Sequence, residues 1–267
     1  MSKKDVLDLA GQAALVTGAG QGLGRVISLT LASHNLGGIA VNDFVAERAE
    51  AVADEIKALG VPAVAVPADV GDHEAVSSAL VTAAKALGPV TLLVNNAGNA
   101  GPAVQMGFAP EFWKTTPDDW RHYFRTNLHG VMNCSHALLP AMVEQNKGRI
   151  VTIVSDAGRV GEARLAAYSA AKAGAAGFTR AIAREVGRYG ITANCISLST
   201  LEPDLDEEAM TQFMASDRTR KQLSQYVIRR FGEADEVANM VLFLCSDASA
   251  WVTGQTYPVN GGYSFAQ

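Results

Sequence analysis

The sequence predicts a doubly wound α/β domain built on a mostly parallel, Rossmann-like sheet. Three observations carry that expectation. Short apolar runs alternate with longer amphipathic segments along all 267 residues. The first apolar run feeds a glycine-rich turn that opens a helix. The 48% hydrophobic and 18% charged content suits a chain that buries a large core and argues against disorder.

Residues 13–17 (AALVT) read as the first strand, and 25–34 as the helix beyond the glycine turn. Residues 38–42 (GIAVN) form the second strand, and 46–59 a helix stopped by Gly60 at its C-cap. The third strand is 63–66, followed by a helix over 74–87 that ends at Gly88-Pro89. Residues 90–95 (VTLLVN) give the fourth strand, and 117–143 are mainly helical. The fifth strand is 149–155 (RIVTIVS), then comes a long helix over 166–189 and a sixth strand over 191–197. A helix over 235–244 and a strand over 254–259 complete the series. Regular alternation implies a parallel sheet with right-handed crossovers, and strands apolar throughout imply helices on both faces. No linker, repeat or low-complexity segment interrupts residues 1–267, so one domain is expected. Two stretches, 99–116 and 199–231, read as long irregular loops or lids. Both follow strand C-termini, where open α/β sheets bind ligands.

Composition excludes several classes. The net charge of -5 comes without a basic block, so nucleic acid is not an expected partner. The opening MSKKDVLDL lacks the apolar core of a signal peptide, and no apolar run reaches membrane-spanning length. A soluble, cytoplasmic protein is therefore expected. Cys134, Cys195 and Cys245 lie far apart in apolar surroundings. They read as buried reduced thiols, and no metal site is expected.

The glycine turn, 17–24 (TGAGQGLG), points to a dinucleotide. Gly18, Gly20, Gly22 and Gly24 let the backbone turn tightly and approach a diphosphate, with Gln21 and Leu23 between them. The helix that follows offers free N–H groups and a positive dipole end. Asp43 closes the second strand, where a carboxylate can accept hydrogen bonds from the adenosine ribose hydroxyls and repel a 2′-phosphate. Gln21 is uncharged, and Arg48, the one nearby cation, reads as part of a solvated helix face one turn on. NAD is thus favoured over NADP. Asp43 also suits a helix N-cap, and the two roles are compatible. Asp69 and Val70, read as ending the third strand, are placed to meet the adenine amino group and ring; alone, Asp69 reads as a helix cap.

Ser155 ends the fifth strand, and Tyr168 precedes Lys172 by four residues on one helix face. A free tyrosine has a pKa of about 10 and is a poor base at neutral pH. A neighbouring ammonium is expected to favour the phenolate. Tyr168 then exchanges a proton with a substrate hydroxyl as hydride leaves or arrives, Ser155 holds the substrate oxygen, and Lys172 also binds the nicotinamide ribose. Singly, a Tyr-x-x-x-Lys pair reads as a surface pair and a serine after a strand as a turn; their joint appearance after the glycine turn favours a site.

With these motifs the chain resembles the short-chain dehydrogenase/reductase family from residue 9 to residue 262. The resemblance rests on TGAGQGLG, Asp69-Val70, Asn95-Asn96-Ala97-Gly98, Asn127 within RTNLHG, Ser155, Tyr168-Ser-Ala-Ala-Lys172, and VNGG at 259–262. It implies that Asn127 completes a catalytic tetrad with Ser155, Tyr168 and Lys172, at a point where its helix locally distorts, and holds a water in a proton relay. It implies that Asn96, Ala97 and Gly98 brace the central sheet and contact the cofactor, Asn96 near the adenosine ribose. It implies that the Leu201 backbone meets the nicotinamide carboxamide, that hydride passes to the B face, and that the chain forms a homotetramer or homodimer. One departure stands out. Where the family has Pro-Gly after the sixth strand, this chain reads Ser197-Leu198-Ser199-Thr200-Leu201. A changed and looser turn beside the nicotinamide is expected. Asn260 stands where an aspartate is common, and no function is attached to it.

The substrate pocket is expected from 99–116, 156–165 and 199–231. Met106, Phe108, Phe112 and Trp113 read either as an apolar pocket wall or as a small satellite core. Arg159, Arg164, Arg218, Arg220 and Lys221 read either as ligands for a carboxylate or the phosphates of an acyl-CoA, or, more simply, as a solvated face. The stretch SDAGRVG at 155–161 is similar to that of family members acting on acyl-CoA-linked alcohols. The expected activity is NAD-dependent hydride transfer between a nicotinamide and a secondary alcohol or ketone. An NADP-dependent ketone reductase and a catalytically silent nucleotide-binding regulator are the alternatives; intact Asn127, Ser155, Tyr168 and Lys172 argue against the latter.

Overall fold

The computed structural model describes residues 5–99 and 110–265. Its seven strands are β1 (Ala13–Val16), β2 (Gly38–Val41), β3 (Ala63–Ala65), β4 (Val90–Asn95), β5 (Gly148–Ser155), β6 (Ile191–Leu198) and β7 (Thr256–Val259). They form one sheet in the order β3-β2-β1-β4-β5-β6-β7, with every pair parallel. The order reverses between β1 and β4, which opens a crevice at the carboxyl ends of those strands.

Side-chain alternation divides the core between the two faces. Ala14 and Val16 of β1 pack on one side with Ile27, Leu31, Ile56, Val241 and Leu242. Ala13 and Leu15 pack on the other with Val76, Leu80, Leu138, Met142 and Val186. The first side is covered by α1 (Gly22–Ala32), α2 (Ala46–Ala58) and α10 (Ala234–Cys245). The second is covered by α3 (His73–Leu87), α5 (Gly130–Gln145) and α7 (Ala166–Val186). A sheet buried on both faces needs strands apolar at every position, and β1, β2 and β4 are buried throughout.

Several expectations are corrected. α1 starts at Gly22, three residues before the expected onset, so the last glycines of the loop belong to the helix. The third strand ends at Ala65, placing Asp69 and Val70 in the loop beyond it. The helical stretch after 117 is three pieces: α4 (Pro117–Phe124), a π turn (Arg125–His129) and α5. Residues 199–231 are not irregular throughout. They contain α8 (Glu207–Ala215) and α9 (Asp217–Leu223), started by Asp206 accepting from the Ala209 N–H and Ser216 accepting from the Thr219 N–H. A short helix, α6 (Ala157–Val160), follows β5 directly. Met106 and Phe108 lie outside the described residues. The three cysteines are buried free thiols, as expected.

Candidate active site

The crevice is built from the glycine turn upward. Gly18 and Gly22 have positive φ, +60° and +51°. A side chain on Gly24 would put its Cβ 2.1 Å from the Gly18 carbonyl oxygen, so turn and helix can meet this closely only as glycines. Gln21 occupies the N-cap of α1 without a side-chain capping bond. Gly22, Leu23 and Gly24, whose first-turn N–H groups have no acceptor within the helix, help to line a cavity of about 390 Å³. An uncapped helix start, with Gly22 and Gly24 free of a Cβ, fits a diphosphate.

Thr17 and Asn96 hold this turn. The Thr17 hydroxyl accepts from the Asn96 and Ala97 N–H groups, both at 3.0 Å. The Asn96 amide donates to the carbonyls of Thr17 at 2.9 Å and Gly18 at 3.1 Å. The Asn96 amide nitrogen thereby braces the loop. Asn96, Ala97 and Gly98 all line the cavity.

Across the cavity stand Ser155, Tyr168 and Lys172. The Ser155 hydroxyl hydrogen-bonds the Tyr168 phenol. Lys172 is buried, donates to the Ile153 carbonyl at 2.9 Å, and holds Nζ 5.9 Å from the centre of the Tyr168 ring. Asn127 sits in the π turn, fully buried. Its amide donates to the Asn99 and Tyr123 carbonyls at 3.1 and 3.0 Å, and its oxygen accepts from the Asn99 N–H at 3.2 Å. A Cβ on Gly98 would lie 2.7 Å from the Asn127 Oδ1 and 2.9 Å from the Lys172 Nζ. The bare Gly98 backbone is thus what lets these two polar groups converge.

The electrostatics differ from the sequence expectation. Burial pushes the Tyr168 phenol up, with the Ser155 hydrogen bond opposing it. Burial also draws the Lys172 ammonium down to about 8. The expected lowering of Tyr168 by Lys172 is not the dominant effect. The physical reason is that the same low-polarity surroundings disfavour both charged forms, and Nζ is held against a carbonyl rather than the phenol oxygen.

Gly20, Asp43, Asp69 and Val70 do not line this cavity. Asp43 is buried and clamps the backbone: Oδ2 accepts from Gly20 N–H and Oδ1 from Val45 N–H, each at 3.0 Å. It is not the N-cap of α2, which is Val45. Arg48 is exposed, but its stem abuts the glycine turn, 2.6 Å from where a Gly20 Cβ would stand. Arg48 thus lies on a solvated face, as expected, with its stem beside the turn. Asp69 accepts from Gly71 N–H at 2.8 Å and pairs with Arg125 at 2.7 Å. It does not cap α3 either; Asp72 does. The Val70 carbonyl accepts from Asn133 at 2.9 Å.

The Leu198-Ser199 turn is not loose. The Ser199 hydroxyl and Tyr226 phenol are 2.5 Å apart, the Thr200 N–H donates to the same phenol at 3.2 Å, and Gln222 donates to the Thr200 hydroxyl at 2.7 Å. These bonds replace the stiffness of the missing proline. Leu201 follows in a parallel bridge with Gly232, made by the Gly232 N–H to Thr200 and the Glu202 N–H to Gly232. The bridge uses the neighbours' groups, so the N–H and C=O of Leu201 itself point away from Gly232, and Leu201 lines the cavity.

Several residues of the site escaped sequence reading. Tyr226 is one. Asp156 is another: it is buried, accepts from Ser197 at 2.7 Å and Asn260 at 2.7 Å, and pairs with Arg159 at 3.1 Å. Asn260 accordingly has a structural role. Arg125 is a third, paired with Asp69. Phe112 stacks on Trp120 with ring centres 4.9 Å apart, while Trp113 is 79% exposed; neither lies in the core. No group of three or more metal-ligating side chains occurs among the described residues. Among them, no helix is long and apolar enough to cross a membrane.

The comparisons agree with this geometry. The family model for short chain dehydrogenases matches residues 12–213. The 3-oxoacyl-acyl-carrier-protein reductase FabG of Staphylococcus aureus is 38% identical over 252 residues, 94% of this chain and 97% of that protein. Among solved structures, a Burkholderia cenocepacia gluconate 5-dehydrogenase in complex with NADP and tartrate is 30% identical with a TM-score of 0.87, covering 98% of this chain and 99% of that one. A Brucella melitensis 3-oxoacyl-acyl-carrier-protein reductase with bound NAD is 30% identical with a TM-score of 0.85, covering 98% and 95%. The chain belongs to the short-chain dehydrogenase family. It is an oxidoreductase of the nicotinamide-dependent kind.

Proposed function

We propose that this chain interconverts a secondary alcohol and a ketone, with NAD as the cofactor and Tyr168 as the general acid/base. The observation that carries the reading is the convergence of Ser155, Tyr168 and Lys172 on one cavity that runs to the uncapped start of α1. The bound nicotinamide supplies the hydride acceptor or donor. Gly18, Gly20, Gly22, Leu23 and Gly24 receive the diphosphate, Asp43 the adenosine ribose, Asp69 and Val70 the adenine, and Leu201 the carboxamide. Ser155 orients the substrate oxygen by a hydrogen bond, and the Tyr168 hydroxyl gives or takes its proton. Lys172 and Asn127 hold the polar end of the crevice behind them. A cationic nicotinamide and a charged Lys172 together oppose the upward push of burial on Tyr168. The names of the relatives add 3-oxoacyl thioesters to the substrate candidates. A homotetramer or homodimer is the expected assembly, read by sedimentation.

A second reading, NADP dependence, is favoured by one observation: the Arg48 stem lies against the glycine turn beside Asp43, where its guanidinium can reach a 2′-phosphate.

The test follows the absorbance of reduced nicotinamide with NAD and NADP over a panel of secondary alcohols, ketones and 3-oxoacyl thioesters. Tyr168→Phe is expected to lower kcat by about 10²–10⁴-fold while cofactor affinity is retained. Cofactor binding without turnover across the panel, with Tyr168→Phe indistinguishable from wild type, would favour a nucleotide-binding regulator.

A further inference from the structure

A second cavity, of about 440 Å³, shares Ser155 and Tyr168 with the first and extends beneath α9. Four side chains charged at neutral pH, with opposed roles, line it. Two are acids, and both are engaged. Asp156 takes Arg159, Ser197 and Asn260, and Glu162 accepts from the Tyr263 phenol at 2.9 Å. The other two, Arg218 and Lys221, are cations. Neither has a carboxylate within ion-pair distance among the described residues.

The helix geometry makes this selective. Arg218, Lys221, Gln222 and Gln225 follow helical spacing and all line the cavity. Arg220, off that face, is exposed and neutralised by Asp217 at 2.7 Å. Gln222 ties the helix to Thr200, next to the turn that borders the candidate catalytic groups. The remaining cations near the pocket are committed: Arg159 to Asp156, Ser264 and the Phe265 carbonyl, and Arg164 to Glu111. The solvated-face reading covers all three, since Arg218, Arg220 and Lys221 are exposed; what sets Arg218 and Lys221 apart is that they also line the cavity and lack an acidic partner among the described residues.

We propose that the substrate carries an anionic group, a carboxylate or a phosphate, remote from its reacting carbon, and that Arg218 and Lys221 bind that group. The proposal rests on the oxidoreductase reading and narrows its substrate class. Two cations on one helix face can share an anion by charge-assisted hydrogen bonds, while Ser155 and Tyr168 hold the carbonyl at the other end.

The test measures kcat/KM for two matched pairs: acetoacetate against its methyl ester, and acetoacetyl-CoA against the acetoacetyl thioester of N-acetylcysteamine. Neutral ketones run alongside to register oxidoreductase activity itself. The enzymes are wild type, the double variant Arg218→Ser/Lys221→Ser, and Arg220→Ser. Both targeted side chains are exposed, and the unfolding midpoint checks that the double variant folds. In at least one pair the charged member is expected to exceed its neutral counterpart by about tenfold or more. The double variant brings that ratio close to one, and Arg220→Ser preserves it. The pair that responds distinguishes carboxylate from phosphate. Turnover with equal kcat/KM within both pairs, or a preference that survives in the double variant, overturns the proposal and leaves the oxidoreductase reading intact. Failure of every compound with both cofactors removes that reading and this one with it.

Discussion

The Tyr226 phenol stands 2.5 Å from the Ser199 hydroxyl and also accepts from the Thr200 N–H, so one buried side chain holds both residues that precede Leu201. Its ring packs edge-on to Phe231 and tilted against Tyr263, with centres 6.2 and 5.4 Å away. Tyr226→Phe keeps that packing and removes the clasp alone. It is expected to destabilise the chain by about 1 kcal/mol and to lower kcat/KM for the cofactor roughly 5–30-fold. Urea unfolding and steady-state kinetics read the two effects separately.

Gly98 offers a sharper probe of the candidate tetrad. An added methyl meets only side-chain tips, Asn127 Oδ1 and Lys172 Nζ, so Gly98→Ala retains the fold but displaces both groups. We expect kcat to fall by about 10²-fold, with a smaller change in cofactor affinity measured by fluorescence titration. Unchanged kcat would mean that neither group matters to the chemistry.

Burial of Lys172 is costly, and the cost depends on pH. The folded group titrates near 8 and the unfolded one near 10.5. Between those values the unfolded chain binds more protons, so wild-type stability gains with rising pH. Below pH 8 the penalty amounts to about 3 kcal/mol, against roughly 1.5–3 kcal/mol for the charge-assisted bond to the Ile153 carbonyl. Lys172→Met is therefore expected to be inactive yet as stable as wild type or up to about 1.5 kcal/mol more stable at pH 7. Its advantage should shrink through pH 8–10.5 in urea titrations. An advantage independent of pH would contradict the burial argument.

The proposed preference for NAD rests on Asp43. Asp43→Asn removes the charge that would repel a 2′-phosphate while leaving one oxygen to accept from the backbone. The ratio of NADP to NAD affinity is expected to rise about tenfold or more. A wild type that already binds NADP more tightly would hand the selectivity to Arg48.

Most of the fold was legible because it repeats a local pattern. The alternation of Ala13, Ala14, Leu15 and Val16 between two helix-covered faces needs only apolar strands, and apolar strands are visible as runs of letters. Three members of the candidate tetrad were legible for a related reason: Tyr168 and Lys172 share a helix face through spacing alone, and Ser155 ends a strand, whereas Asn127 was implied only by the family resemblance. Other features depended on partners far away in sequence. Nothing near Tyr226 announces Ser199, and nothing near Asp69 announces Arg125. The helices inside 199–231 were hidden because both are short, and their onset depends on single capping side chains, Asp206 and Ser216. The direction of the Tyr168 pKa also required burial, which spacing does not reveal.

The π turn at Arg125–His129 has a consequence for how the chain tolerates changes in length. Such a turn accommodates one residue more than the surrounding α-helix, and it aims Asn127 inward. A variant lacking one residue in this stretch could heal the helix into continuous α geometry. Asn127 would then rotate away from Gly98 and Lys172, even if every remaining letter were retained. In a mutational library, single-codon deletions here should yield well-folded but inactive clones. The spacing of the segment is thus inherited information in its own right, separate from the identity of any side chain within it.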